Sequence, residues 1–208
     1  MRILVCDDHP IVRKGLRDIL EQEGTPATIA EATNADEALS LARKQPWDAV
    51  VLDITMPGRS GLELLKQLRE ERPDLPVLVL SVHPADQYAV RVLRAGASGY
   101  LTKESAPEEL LTAVRRIIGG GRYINPSVGE TLVADLGRPA GEAHHGLSDR
   151  EFEIMRLLAS GKRASEIAAE LNLSVKTVST YRARILQKLN LRTTAQIMRY
   201  ATQHGLVD

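Results

Sequence analysis

Asp53 closes an apolar run, Ala49-Val50-Val51-Leu52, and the pair Pro57-Gly58 breaks the chain almost at once. A short unbroken apolar stretch bounded by turn residues reads as a strand buried on both faces of a parallel sheet. Ligands in such sheets gather beyond the carboxyl ends of the strands, which is where Asp53 stands. Three further runs end in polar groups: Ile3–Cys6 in Asp7-Asp8, Val77–Leu80 in Ser81, and Gly99–Thr102 in Lys103. Four parallel strands ending side by side would bring these groups into one pocket.

Three carboxylates placed together repel one another by several kcal/mol at ~4 Å and an effective dielectric near 20. A dication removes the conflict. Few hard oxygen ligands, with room left for water and phosphate oxygens, favour Mg²⁺ over calcium or zinc. Lys103 as a point charge and Ser81 as a hydrogen-bond donor would complete a phosphate site. Asp53 is then the expected nucleophile, forming an acyl phosphate as aspartyl-phosphate enzymes do. The chain has no Gly-rich phosphate loop and no dinucleotide fingerprint, so a nucleotide site is not expected.

The elements that must position these groups can be read by period. From Met1 to about Gly121 strand-like runs alternate with helical ones: helices over 11–22, 61–72, 87–94 and 107–118, one after Asn34 with Ala38, Leu41 and Ala42 inward, and a shorter strand over 28–32. Asn34, with Glu37 three residues on, can cap the second helix. The alternation predicts an α/β domain, a five-stranded parallel sheet with helices on both faces.

The chain then changes character. Pro126, Gly137, Pro139 and Gly141 interrupt residues 121–146, and His144-His145 closes them. The paired histidines have no further ligands at useful spacing, so this segment reads as a solvated linker, with one short helix over 127–136. Residues 147–208 read as purely helical. Ser148-x-x-Glu151 and Thr193-x-x-Gln196 are capping boxes, Ser174 caps a long helix over 175–189, and a short helix over 166–171 precedes it. Phe152, Met155, Leu158 and Ala159 should face inward. Two helices joined by a tight turn in a basic module suggest helix-turn-helix DNA binding. The expected domains are 1–120, a linker 121–146, and 147–208.

Composition is that of an ordinary globular protein, 43% apolar and 26% charged over 208 residues. The net charge of zero hides an asymmetry. Residues 144–208 carry ten basic and six acidic side chains, hence +4, and the rest therefore −4. Such a split suggests different partners for the two parts, a polyanion for the second. The single cysteine, Cys6, lies in an apolar strand and should be core packing; it permits no internal disulfide. Trp47 should pack between helix and sheet. No membrane-length run and no signal-peptide pattern occur, so the cytoplasm is expected, with no membrane partner.

Residues 1–119 resemble the receiver domain of bacterial two-component response regulators, a flavodoxin-like fold. The matching positions are Asp7-Asp8, the Asp-x-x-Met-Pro run at Asp53–Pro57, Ser81, and Ala95–Lys103. Residues 147–207 resemble the LuxR-type DNA-binding module through Leu147-Ser148-x-Arg150-Glu151, Glu166-Ile167-Ala168, Thr177-Val178, Lys188-Leu189 and Gly205-Leu206-Val207. The order is that of the NarL/FixJ subfamily. The resemblance implies that Asp53 accepts a phosphoryl group from a sensor histidine kinase. It implies that Asp7, Asp8, Asp53 and the Thr55 carbonyl hold Mg²⁺, that Lys103 contacts the phosphoryl group, and that Ser81 and Tyr100 are the switch pair. Relatives hide the recognition helix until phosphorylation releases it and promotes pairing, so a homodimer on double-stranded promoter DNA is implied.

The second module departs from its family at Ala164-Ser165, where asparagine is frequent, and at Tyr181, commonly histidine. On the long helix Val178, Tyr181, Ile185 and Leu189 share one face and should pack inward. Arg182 should lay its stem on apolar surface. The DNA-facing set is expected to be Lys176, Thr177, Ser179, Thr180, Ala183, Arg184, Gln187 and Lys188. Lys176, Arg184 and Lys188 would meet phosphates, and Ser179 and Thr180 would approach base edges. The last helix, through Ile197, Tyr200 and Ala201, is the candidate dimer contact. Two other readings are an aspartyl-phosphate phosphatase and a receiver used only as an interaction module. A phosphatase wants a second acid beside the nucleophile, and Thr55 argues against it. Beyond self-modification at Asp53, no enzyme activity is expected.

Overall fold

The apolar runs pair side by side, as burial on both faces requires. In the computed structural model of the chain, residues 1–21, 28–56, 58–81, 87–105, 107–124, 128–130 and 143–207 are described. Contacts divide the chain into two compact units, Met1–Leu132 and Val133–Asp208.

In the first unit the strands β1 (Arg2–Cys6), β2 (Thr28–Ala32), β3 (Ala49–Asp53), β4 (Val77–Ser81), β5 (Gly99–Thr102) and β6 (Tyr123–Ile124) form one sheet, in the order β2-β1-β3-β4-β5-β6. Every neighbouring pair is parallel. Five strands were expected and six are present among the described residues. Tyr123 and Ile124, inside the stretch read as linker, pair with Gly99 and Tyr100 at the sheet edge. Two residues carry no readable period, so this strand leaves no sequence signal.

Helices follow the first five strands: α1 (Pro10–Glu21), α2 (Ala35–Lys44), α3 (Gly61–Glu71), α4 (Gln87–Arg94) and α5 (Pro107–Ile118). Alternate strand residues point to opposite faces. Ile3, Val5, Val51, Leu78 and Leu101 pack with Leu16 and Leu20 of α1 and with Leu110, Val114 and Ile117 of α5. α2 lies against β1 and β2 and beside α3, and the two helices bury Ala38, Ala42, Leu64, Leu65 and Leu68. Asn34 caps α2 as expected, its side chain accepting from the Glu37 N–H at 2.9 Å. Trp47 is buried, and its ring N–H donates to the Leu41 carbonyl at 3.0 Å. Cys6 is buried with its sulfur 3.5 Å from Met56 Sδ, the core role expected of it.

Among its described residues the second unit holds a 3₁₀ turn (Ala143–Gly146), followed by α6 (Asp149–Ala159), α7 (Ala164–Glu170), α8 (Val175–Lys188) and α9 (Thr194–Gln203). Both expected capping boxes form, at Ser148/Glu151 and Thr193/Gln196. Phe152, Met155, Leu158, Ile167, Leu171, Val178, Ile185, Leu189, Ile197 and Leu206 are buried, while Ala159 is only half-buried. The turn between α7 and α8 puts Asn172 at φ +50°, a left-handed conformation that asparagine tolerates better than most residues.

Two expectations need correction. His144 was read as solvated linker, yet it is buried, with Nδ1 3.0 Å from the Tyr200 hydroxyl and its ring beside Phe152 and His204. Ile197 and Ala201 of α9, offered as a dimer face, are fully buried in a helix that packs chiefly on α6. That face closes the small core. Of the helix expected over 127–136, residues 128–130 are helical; the rest lies outside the described residues, as do Pro57 and most of the expected linker. Among the described residues no helix is long and apolar enough to cross a membrane.

Candidate functional site

Each polar group sits where its strand stops. Asp7 follows β1, Asp53 ends β3, Ser81 ends β4, and Lys103 follows β5; all but Lys103 are almost wholly buried. The Lys103 ammonium, beyond β5, lies 2.7 Å from Asp7 Oδ2 and 2.7 Å from Asp53 Oδ2, bridging the ends of the adjacent strands β1 and β3. The remaining oxygens take backbone donors: Asp53 Oδ1 accepts from the Thr55 N–H at 3.0 Å, and Asp7 Oδ1 from the His9 N–H at 2.8 Å.

The loop beyond Asp53 is fixed by α3. The Gly61 N–H donates to the Ile54 carbonyl at 3.1 Å, and a Cβ on Gly61 would stand 2.4 Å from the Asp53 carbonyl oxygen. Glycine is required there because helix and loop backbones touch. Ser60 caps α3 through its hydroxyl oxygen, which accepts from the Glu63 N–H at 3.2 Å.

Burial pushes the Asp53 carboxyl up to about 6; the Lys103 charge pulls it down and Asp7 pushes it further up. Burial also works against the Lys103 ammonium, but Asp53 and Asp7 outweigh it and hold its pKa above that of an ordinary lysine. Asp7, Asp8, His9 and Asp53 each present one ligand atom, all within 4.8 Å of one another. One ammonium stands against three carboxylates, so negative charge remains in excess. A donor set dominated by carboxylate oxygen suits a hard divalent cation.

The second unit carries a different surface. Along α8, Val178 and Ile185 are buried, whereas Val175, Lys176, Ser179, Thr180, Ala183, Arg184 and Gln187 are exposed. Ser174 caps the helix, accepting from the Thr177 N–H at 3.0 Å, and its hydroxyl lies 2.8 Å from that of Thr177. The Arg184 guanidinium sits 6.0 Å from the Tyr181 ring centroid.

Two family models match: the response regulator receiver domain over residues 3–115, and the bacterial regulatory proteins of the luxR family over residues 145–201. The chain belongs to the NarL/FixJ-type response regulators. It is similar to the response regulator UvrY of Escherichia coli (strain K12), 35% identical over all of this chain and 96% of that protein. The response regulator GacA of Pseudomonas aeruginosa is also 35% identical, over all of this chain and 98% of its own length. A structure of RcsB from Salmonella enterica serovar Typhimurium, bound to promoter DNA in the presence of phosphomimetic BeF₃⁻, aligns with a TM-score of 0.59 and 28% identity. That alignment covers 96% of this chain and 97% of that one.

In this response regulator Asp7, Asp8, Asp53 and Lys103 lie together, and Ser81 ends the strand next to Asp53. The Tyr100 ring is fully buried. His9 is the neighbour that sequence reading missed, with Nδ1 2.8 Å from Asp8 Oδ1. Its place directly after the two aspartates was the available signal. On α8 two residues of the expected DNA-facing set stand apart: Thr177 is half-buried with its hydroxyl 2.8 Å from that of Ser174, and Lys188 pairs within its own unit. The Lys188 ammonium is 2.6 Å from Glu151 Oε2 and 3.3 Å from the Gly146 carbonyl, inside its own unit. Arg182 behaves as expected, half-buried with Nε donating to Thr194 Oγ1 at 2.7 Å.

Proposed function

We propose that this chain is a phosphorylation-controlled transcription regulator of the cytoplasm. A sensor histidine kinase phosphorylates Asp53, and the modified receiver favours pairing of two chains whose helical units bind promoter DNA. The observation that carries the reading is the convergence of Asp7, Asp8, Asp53 and Lys103 on one point at the ends of the strands.

The chemistry follows from the donors present. An Asp53 carboxylate oxygen attacks the phosphorus of the kinase's phosphohistidine. The P–N bond breaks, and the imidazole nitrogen leaves with the electron pair and takes up a proton. Lys103, released from part of its carboxylate contact, pairs with a phosphoryl oxygen, and the Ser81 hydroxyl donates to another. Tyr100, fully buried on the adjacent strand β5, is the switch partner of Ser81. Asp7, Asp8, Asp53 and the Thr55 carbonyl are the groups that would hold Mg²⁺, which when bound neutralises charge on the phosphoryl oxygens. The protein ends the reaction modified and turns over no substrate, so it acts as a switch.

The exposed basic and hydroxyl side chains on α8 support a helix in the major groove, and the likeness to RcsB bound to promoter DNA supports DNA as partner. Lys176 and Arg184 are assigned to phosphates, and Ser179, Thr180, Ala183 and Gln187 to the groove. Incubation with a small phosphodonor and Mg²⁺, read by intact-mass spectrometry, tests the receiver half. One acid-stable, base-labile phosphate is expected, absent from Asp53→Asn; a phosphate that persists on that variant overturns the assignment.

A further inference from the structure

The exposed residues of α8 do not offer the groove an even mixture of donors and acceptors. The Ser179 hydroxyl donates to the Val175 carbonyl at 2.9 Å, and the Thr180 hydroxyl donates to the Lys176 carbonyl at 3.0 Å. Each hydroxyl has one proton, and in both it is spent on the helix. What these residues present outward is acceptor lone pairs and, for Thr180, a methyl group. Val175, the first residue of the helix, is 50% exposed although it is β-branched and apolar. Ala183 adds a second bare methyl. Arg184, the donor nearest them in the following turn, is drawn toward the Tyr181 ring.

The N-terminal part of a recognition helix is the part that reaches base edges. Guanine is read by bidentate donation from arginine or lysine, adenine by asparagine or glutamine, and the thymine methyl by apolar contact. Between Val175 and Ala183 the only charged side chain that is exposed is Lys176, and no amide is present. Val175, Ser179 and Ala183 are each four residues apart, so they form one row. At about 1.5 Å per residue Val175 and Ala183 stand roughly 12 Å apart, a reach of three or four base-pair steps at ~3.4 Å each.

Resting on the reading of α8 as a recognition helix, we propose that this protein selects its operator by thymine methyl groups, with Val175 the principal reader. The binding half-site then holds a thymine whose C5-methyl packs on the Val175 side chain, and another near Ala183 or the Thr180 methyl.

The test begins by selecting duplexes from a random pool with the full-length protein, with and without phosphodonor and Mg²⁺. In a selected duplex each thymine is then replaced singly by deoxyuridine, which removes the methyl and keeps every hydrogen-bonding group. A loss of about four-fold in affinity per contacted methyl is expected, since one buried methyl is worth about that factor. Val175→Ala, at an exposed position and favourable to helix, should weaken binding similarly and make binding indifferent to one particular replacement. Binding unchanged by every deoxyuridine overturns the proposal while leaving DNA recognition intact. A methyl dependence that survives unaltered in Val175→Ala overturns the role of Val175. A pool from which no duplex is selected overturns the DNA-binding reading itself.

Discussion

The Lys188 ammonium is held 2.6 Å from the Glu151 carboxylate, so the end of α8 is tied to the capping box that starts α6. Glu151 therefore serves two purposes, accepting from the Ser148 N–H at 2.7 Å and pairing with Lys188. Burial pushes its carboxyl up, but Lys188 and Ser148 outweigh burial and hold it below the ordinary glutamate value. A depressed carboxyl stabilises the fold above the unfolded pKa, about 4.3, and loses that contribution as pH falls through the folded value. Lys188→Ala should lower the stability of the helical unit by roughly 1 kcal/mol, a modest figure because the lysine is partly exposed and solvent screens it. The loss should be present at pH 7 and shrink as pH falls below about 4, by urea unfolding. Loss of about one unit of salt slope in DNA binding is expected instead from Lys176→Ala or Arg184→Ala.

Asp53 bears the opposite sign. Its folded pKa, about 6, lies above the ordinary 3.8, so the unfolded chain gives up the proton first. Stability of the metal-free receiver should fall as pH rises from about 4 to 6 and then level off. Asp53→Asn should remove this slope and, at pH 7 in the presence of a chelator, stabilise the receiver by about 3 kcal/mol. The two proteins should be equally stable at pH 4. Chemical unfolding at the two pH values is the measurement, and a variant less stable than the parent at pH 7 would contradict the burial argument.

Gly61→Ala should injure the pocket without touching any of its polar groups. The new Cβ would meet the Asp53 carbonyl oxygen at 2.4 Å and Ile54 Cα at 2.6 Å, both backbone atoms that cannot swing aside. Overpacking of this kind costs about 1–3 kcal/mol. Thermal unfolding should show that loss, and calorimetric titration with Mg²⁺ should show weakened binding, because the Thr55 backbone moves with the loop.

The burial of His144 sets where the helical unit begins. A fragment starting at residue 143 should unfold at higher temperature than one starting at 147, and His144→Ala in the longer fragment should remove most of the difference, about 1–2 kcal/mol. If the receiver holds the DNA-binding unit in check, the longer fragment should bind selected DNA better than the unphosphorylated full chain and ignore phosphodonor. Equal or weaker binding would leave the receiver only the role of supplying dimer contacts.

What could be read beforehand was whatever is local or forced by strand order. Val50, Val51 and Leu52 had to be doubly buried, and once the runs were parallel, Asp7, Asp53, Ser81 and Lys103 had to share an edge. The caps at Asn34, Ser148 and Thr193 are contained within four residues each, and all three form. What could not be read depends on distant partners. His144 meets a tyrosine 56 positions later. Lys188 lies on the outer side of a helical wheel, and only the position of α6 turns it inward. Ile197 and Ala201 gave an apolar face whose occupant no periodicity could name, and it proved to be α6.

The chain contains one cysteine, and it is sealed in β1 beside Met56, where burial also pushes its thiol far from ionisation. A thiol reagent can react with Cys6 only in molecules whose sheet has opened. The native sequence thus carries its own reporter of receiver breathing, and no labelling site need be engineered. Alkylation rates measured with and without a phosphodonor, or across a metal titration, convert directly into the protection each ligand gives. Labelling as fast as that of a free thiol under native conditions would mean that β1 is not the closed strand its burial describes.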